Sequence, residues 1–256
     1  MNQKHVSFSE LKNWDKCPYY HNLVNIQKIK FFKGNEHTAF GNAVHDVCES
    51  MLLNKQLEAS KYFIEKYKEV LKKLSDDNYD FNKKLVLEMK EQGLELLPYI
   101  KPALKQHFGK YDVVCTEEPL FEDIDLHDYK FKGYVDLVLK TKDGKYHIID
   151  WKTCSWGWNT RRKTDKMTTY QLTYYKYYFS KKHNIELDNI ETHFALLKRT
   201  AKKNKVELFK VLSGNKKIKN ALKFLDKALY NINNKNFIKN RLSCKYCEFY
   251  KTKHCP

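Results

Sequence analysis

Residues 130–151, KFKGYVDLVLKTKDGKYHIIDW, constrain the fold more than any other stretch of the chain. Two apolar runs, 130–140 and 145–151, flank the turn signal Asp143-Gly144. Such a pair reads as a β-hairpin. Val135, Leu137, Val138, Leu139, Ile148 and Ile149 place apolar side chains on both faces. Strands of that kind lie in the middle of a sheet that is covered on both sides. Yet Asp136 and Asp150 stand inside these runs, and a carboxylate buried there is costly unless it is paired or holds a cation. A three-residue loop at 142–144, with Gly144 left-handed, sets Thr141 against Lys145 and, counting back, Asp136 against Asp150. A two-residue loop shifts that register by one.

In the first register the two carboxylates share a face, with Cβ atoms ~4.5–5.5 Å apart. They repel unless a cation lies between them, and hard oxygen ligands suit Mg²⁺ or Mn²⁺. Lys152 follows Asp150 by two residues, so it lies on the same face. An ammonium there can orient an attacking water and stabilise charge developing on a phosphate. A bare Asp-x-Lys triplet arises often by chance; the apolar setting is what singles this one out.

The rest of the chain supplies a frame for this hairpin. Ser7 with Glu10 is a capping-box start for a short helix within 7–25. Phe40, Val44, Val47 and Met51 recur at helical spacing within 37–54, and two more helices are predicted over 57–76 and 80–107. Strands follow at 111–121, 130–140 and 145–151, a helix at 166–183, strands at 190–199 and 206–213, and a helix at 214–233. No internal repeat or low-complexity segment interrupts the pattern. The fold class is therefore α/β: a mixed central sheet flanked by helices, with a helical N-terminal elaboration. Three regions are expected: a mainly helical part over 1–107, a core over 108–213, and a C-terminal helix with a cysteine-rich tail over 214–256 that packs back on the N-terminus.

No apolar run approaches the ~20 residues that cross a bilayer, and the first residues lack the apolar stretch of a signal peptide. The expectation is a soluble intracellular protein without a membrane partner. The net charge of +17 favours a polyanionic partner, nucleic acid first. A lysine-, asparagine- and tyrosine-rich composition of the kind an AT-rich genome produces accounts for part of that excess. Seven cysteines in such a protein read as thiols or metal ligands rather than disulfides. Cys244, Cys247 and Cys255 cluster at the end, a Cys-x-x-Cys pair with a third cysteine close by, which is a metal-ligand pattern. Cys48, Cys115 and Cys154 read as buried or incidental thiols.

Four motifs in order resemble the PD-(D/E)XK nuclease superfamily, and within it the RecB-type branch. Gly41-Asn-Ala-Val-His45 is similar to its G-x-x-x-H motif, Gly133-Tyr-Val-Asp136 to G-x-x-D, Asp150-Trp-Lys152 to D-x-K, and Gln171-Leu-Thr-Tyr-Tyr175 to Q-x-x-x-Y. The resemblance implies a restriction-endonuclease-like core and phosphodiester hydrolysis. It implies that Asp136, Asp150 and the Trp151 carbonyl ligate Mg²⁺ or Mn²⁺, that His45 completes the metal site, and that Lys152 is the catalytic lysine. Gln171 and Tyr175, one turn apart on a helix face, would contact the DNA backbone or support the site. Glu49, one turn beyond His45, could approach the site, although it reads first as a solvated helix charge. Glu118 lies on the strand before the hairpin, where relatives often carry a carboxylate.

Some RecB-type nucleases of the AddB kind place one cysteine before the core and three after it, holding a [4Fe–4S] cluster. Cys17, Cys244, Cys247 and Cys255 match that arrangement, although the seven-residue gap before Cys255 is longer than usual in relatives. Zinc is the alternative, with His21 or His254 as further ligands. The implied substrate is DNA, single-stranded or with free ends, acted on by an exonuclease or end-processing enzyme in recombination, repair or viral DNA metabolism. Arg161-Arg162-Lys163 and Lys198-Arg199 could line its approach, and Trp156 and Trp158 could stack on bases. The chain has no helicase phosphate loop, so unwinding would need a helicase or recombination partner. A non-catalytic DNA-binding scaffold and a site-specific endonuclease are the other readings.

Overall fold

In the computed structural model, which describes residues 3–29, 34–54, 56–76 and 79–256, a short strand β1 (His5–Ser7) leads into α1 (Phe8–Lys16) and α2 (Pro18–His21). Ser7 caps α1 in the frame the sequence favours, its Oγ accepting the Glu10 N–H at 3.3 Å. A capping box between Asn35 and Thr38 starts α3 (Glu36–Leu53), and the stripe Phe40, Val44, Val47 and Met51 is buried. α4 (Ala59–Asp76), α5 (Lys83–Leu96) and α6 (Ile100–Phe108) follow. The single helix expected over 80–107 is thus two helices. Pro98 lies in the 3₁₀ turn Leu97–Tyr99 between them, because its ring has no N–H to give the helix ladder.

β2 (Tyr111–Asp123), β3 (Lys130–Thr141) and β4 (Tyr146–Cys154) come next. After them lie α7 (Thr160–Thr164), α8 (Lys166–His183), β5 (Ile190–Lys198), β6 (Val206–Val211) and α9 (Asn215–Asn233). The six strands form one mixed sheet in the order β1-β3-β4-β5-β6, with β2 also beside β3. β1–β3 and β4–β5 are parallel, whereas β3–β4 and β5–β6 are antiparallel. α8 serves as the crossover that a parallel β4–β5 pair requires.

The hairpin closes in the three-residue form. Thr141 N–H donates to the Lys145 carbonyl at 3.0 Å, and Gly144 takes φ +83°, which glycine adopts without a Cβ penalty. The register runs through Val138↔Ile148 to Leu137↔Ile149, and Asp136 and Asp150 are the next residues beyond that last pair. Leu137, Val138, Leu139, Ile148 and Ile149 are all fully buried, each stabilising the fold by roughly 1.5–3 kcal/mol.

Two compact units make up the chain. One comprises Lys33–Pro119 and Tyr134–Ser213, and the other Met1–Phe32, Leu120–Gly133 and Gly214–Pro256. The core of the first joins Phe40, Phe63 and Tyr67 of the helices to Leu137, Ile149 and Trp151 of the sheet. In the second, Trp14 of α1 meets Phe224 of α9 edge-on at 5.5 Å, and Leu225, Leu229 and Phe249 are buried. Among the described residues no helix is long and apolar enough to cross a membrane.

Candidate active site

Asp136 on β3 and Asp150 on β4 lie within the larger unit, almost wholly buried. The Trp151 N–H donates to Asp136 Oδ2 at 2.7 Å. The Lys152 ammonium lies 2.5 Å from Asp150 Oδ2, and Gln171 Nε2 donates to Asp150 Oδ1 at 2.7 Å. The same amide donates to the Tyr175 hydroxyl at 3.1 Å. Asp165 caps α8 by accepting the Thr168 N–H, and that start sets the helix phase at which Gln171 and Tyr175, one turn apart, both face the sheet. His45 on α3 completes the group, with Nδ1 3.6 Å from Asp136 Oδ2. All six residues named by the four motifs therefore meet at one place.

The electrostatics are those of charges drawn from water. Burial is the largest influence on both aspartates and pushes each up to about 6, although Lys152 pulls both down. Burial alone would depress the Lys152 ammonium; the carboxylates of Asp150 and Asp136 outweigh it and hold the group above its ordinary value. Burial, then Lys152, lowers the His45 imidazole, which favours the neutral form that ligates a metal. The two buried carboxylates are hard oxygen donors with a borderline imidazole beside them, and a divalent cation would relieve their repulsion.

A cleft of about 610 Å³ opens over His45 and is lined by Asp46, Glu49, Glu117 and Thr153 among others. Glu49 is half-buried there rather than solvated. Burial, then its contact with Glu117, pushes its carboxyl up to about 9. Glu118 points elsewhere: His183 and Lys182 hold its Oε1 at 2.7 and 2.8 Å. The neighbour Glu117 is the residue in the cleft. One signal in the sequence could have pointed to it, the adjacent pair Glu117-Glu118, which leaves strand phase open.

In the smaller unit Cys17, Cys244, Cys247 and Cys255 line one cavity with Tyr19, Tyr20, Leu23 and Phe249. None forms a disulfide. The Asn240 N–H donates to Cys17 Sγ at 3.2 Å. His21 is engaged elsewhere, with Nε2 3.0 Å from Glu10 Oε1. Cys48 is buried, whereas Cys115 and Cys154 are half-buried.

The basic runs are partly neutralised. Lys163 and Lys198 both pair with Glu207, and Arg199 bonds Gln92 and Ser155. Arg162 stacks over Trp158, 4.4 Å from the ring centre. Trp158 is a packing residue, edge-on to Phe194 at 5.1 Å. Trp156 is 76% exposed.

Among solved structures the fold is similar to that of a candidate exonuclease from Eubacterium rectale. That match has a TM-score of 0.60 and 12% identity, and covers 96% of this chain and 87% of that one. A second similar structure is the protein SSO0001, at a TM-score of 0.38 and 16% identity, covering 94% and 92%. No curated protein matches the sequence. The sequence profile of one family matches residues 5–252, nearly the whole length: the chain belongs to the PD-(D/E)XK nuclease superfamily.

Proposed function

We propose that the protein is a divalent-metal-dependent deoxyribonuclease that works on single strands or free DNA ends, as an exonuclease or end-processing enzyme. One observation carries this reading: Asp136 and Asp150 lie buried on the two strands of one hairpin, with the Trp151 N–H on Asp136 and the Lys152 ammonium on Asp150. Membership of the superfamily implies a nucleic-acid substrate.

Asp136, Asp150, His45 and the Trp151 carbonyl would hold Mg²⁺ or Mn²⁺. Such an ion supplies an acidified water and Lewis-acid polarisation of the scissile phosphate. Lys152, kept charged by its carboxylate neighbours, orients the attacking water and stabilises the anionic phosphorane-like transition state. Gln171 holds Asp150 in place, and Tyr175 in turn anchors Gln171. Trp156, exposed just after β4, offers a face on which a base can stack. A helicase or recombination partner would supply single strands.

We also assign Cys17, Cys244, Cys247 and Cys255 to a structural [4Fe–4S] cluster. Their shared cavity and the N–H···S bond from Asn240 support a metal group there.

The test uses end-labelled linear single- and double-stranded DNA with Mg²⁺, Mn²⁺ or EDTA, with wild type and Lys152→Ala prepared without oxygen. Metal-dependent cleavage that falls at least ~100-fold in Lys152→Ala, on the scale of losing one transition-state contact, is the expected result. DNA binding without cleavage in any of these conditions would make the chain a scaffold.

A further inference from the structure

A second group of ligating side chains lies away from the aspartates. His147 on β4 pairs in register with Glu191 on β5, and Ile149, two residues on, pairs with His193. Side chains two apart on a strand, and those of cross-strand partners, share a face. His147, Glu191 and His193 therefore project together, on the side of the sheet opposite Asp150 and its partner Phe194. Among the described residues this is the one trio of His, Cys, Asp or Glu whose donor atoms all lie within 4.8 Å of one another.

The donor atoms form a triangle of definite size. His147 Nδ1 lies 3.2 Å from His193 Nε2. Glu191 Oε2 lies 3.8 Å from His147 Nδ1 and 3.9 Å from His193 Nε2. Nitrogen and oxygen donors at ~2.0–2.1 Å from a tetrahedral zinc are about 3.3–3.4 Å apart, so closing this triangle on an ion takes movements of a few tenths of an ångström. The tautomer is set by a relay. The Thr141 hydroxyl donates to Asp143 Oδ1, so its lone pair accepts His147 Nε2–H at 2.9 Å. The bare Nδ1 is left facing the other two donors. An outer partner that orients a histidine in this way is a common feature of metal sites. Glu191 divides its oxygens likewise: Oε1 takes Lys145 and Lys210 at 3.1 and 2.7 Å, while Oε2 faces the imidazoles. Both lysines are half exposed and can turn outward to water as an ion enters.

We propose that His147 Nδ1, His193 Nε2 and Glu191 Oε2 form a second metal site for a first-row transition ion of the zinc type, separate from the hydrolytic centre. Two imidazoles and one carboxylate are a donor set that zinc accepts and that magnesium, which prefers oxygen octahedra, does not. The fourth corner is left to water or to His107, whose ring centre lies 5.5 Å from that of His193. The site is built on two adjacent central strands, so an ion there clamps β4 to β5.

Cobalt is the probe. Titrating Co²⁺ into the whole protein should give one saturable equivalent with the intense visible bands of tetrahedral cobalt and without a sulfur-to-cobalt charge-transfer band. Asp136→Asn and Cys244→Ser should leave those bands unchanged, while His147→Gln and Glu191→Gln abolish them. Thr141→Val, which removes only the relay, should weaken the ion ~10- to 100-fold with circular dichroism unchanged. Zn²⁺ should displace the cobalt mole for mole. Absence of tetrahedral bands in wild type, or bands that survive both His147→Gln and Glu191→Gln, would overturn the site. Either outcome is independent of DNA cleavage.

Discussion

Asp136 and Asp150 are ordinary carboxyls in an unfolded chain and titrate near about 6 once buried. Folding therefore takes up protons between ~pH 4 and about 6. In EDTA the stability contributed by these two groups is present below that window and falls as pH rises through it. Asp136→Asn keeps an acceptor for the Trp151 N–H and removes a buried charge. Thermal melts in EDTA at pH 7.5 should show it more stable than wild type by about 1 kcal/mol, the size of one pKa unit, while cleavage is lost. Activity has the opposite pH slope, because the ionised carboxylates are the ligands. At fixed low Mg²⁺ the cleavage rate should drop as pH falls through about 6, and raising Mg²⁺ should move that acid limb to lower pH. A limb indifferent to Mg²⁺ would separate the titration from metal binding.

Among the elements, α4 and α5 meet where no side chain fits. A Cβ added to Gly93 would stand 2.3 Å from Phe63 Cζ and 3.1 Å from a ring carbon of Phe40, and both rings are buried. Alanine normally improves a helix interior by ~1 kcal/mol over glycine. Here the overlap should win, and Gly93→Ala should lower stability by about 1–3 kcal/mol in denaturant titration. A neutral or stabilising result would mean that the rings move aside. This scale is also where the sequence was most and least legible. The hairpin's loop length and register follow from Asp143-Gly144 and the apolar alternation, because turn chemistry and strand period agree. β2 does not follow, since its alternation slips. Tyr111, Val113 and Cys115 are half-buried, then Thr116 and Glu118, with Leu120 buried. Glu117 at the slip takes φ +48°, a β-bulge-like feature that re-aims side chains. Strand period alone cannot place such a slip, so Glu118 was the natural choice and Glu117 the one in the cleft. The break at Pro98 was readable from proline's missing donor. The place of Glu49 in the cleft was only half readable, because its partner there, Glu117, is distant in sequence.

For the whole molecule, the charge of +17 makes DNA affinity a function of salt. Single-strand binding in EDTA should weaken ~10-fold or more between 50 and 200 mM salt if three or more phosphates are gripped. A flat response would place the positive charge away from the DNA path. The cysteines act at this scale too. Cys17 and Cys244 are far apart in sequence yet line one cavity, so a metal group there closes a long loop and restricts the unfolded chain. Cys247→Ser should lower the thermal midpoint and strip the visible absorption of a cluster; an unchanged midpoint would mean that the cavity packs adequately by itself.

The smaller unit is assembled from three separated stretches, the last of which begins at Gly214. A ribosome delivers the chain from one end at ~5–20 residues per second. Every residue of the larger unit has been made by Ser213, so its buried hairpin can collapse while synthesis continues. Trp14 has to wait for Phe224, leaving α1 without its aromatic partner for some 10–40 seconds at those speeds. During translation the larger unit is therefore complete only about 0.5–2 seconds before Phe224 appears, and the long wait of the uncovered α1 is when a holdase chaperone has most to protect.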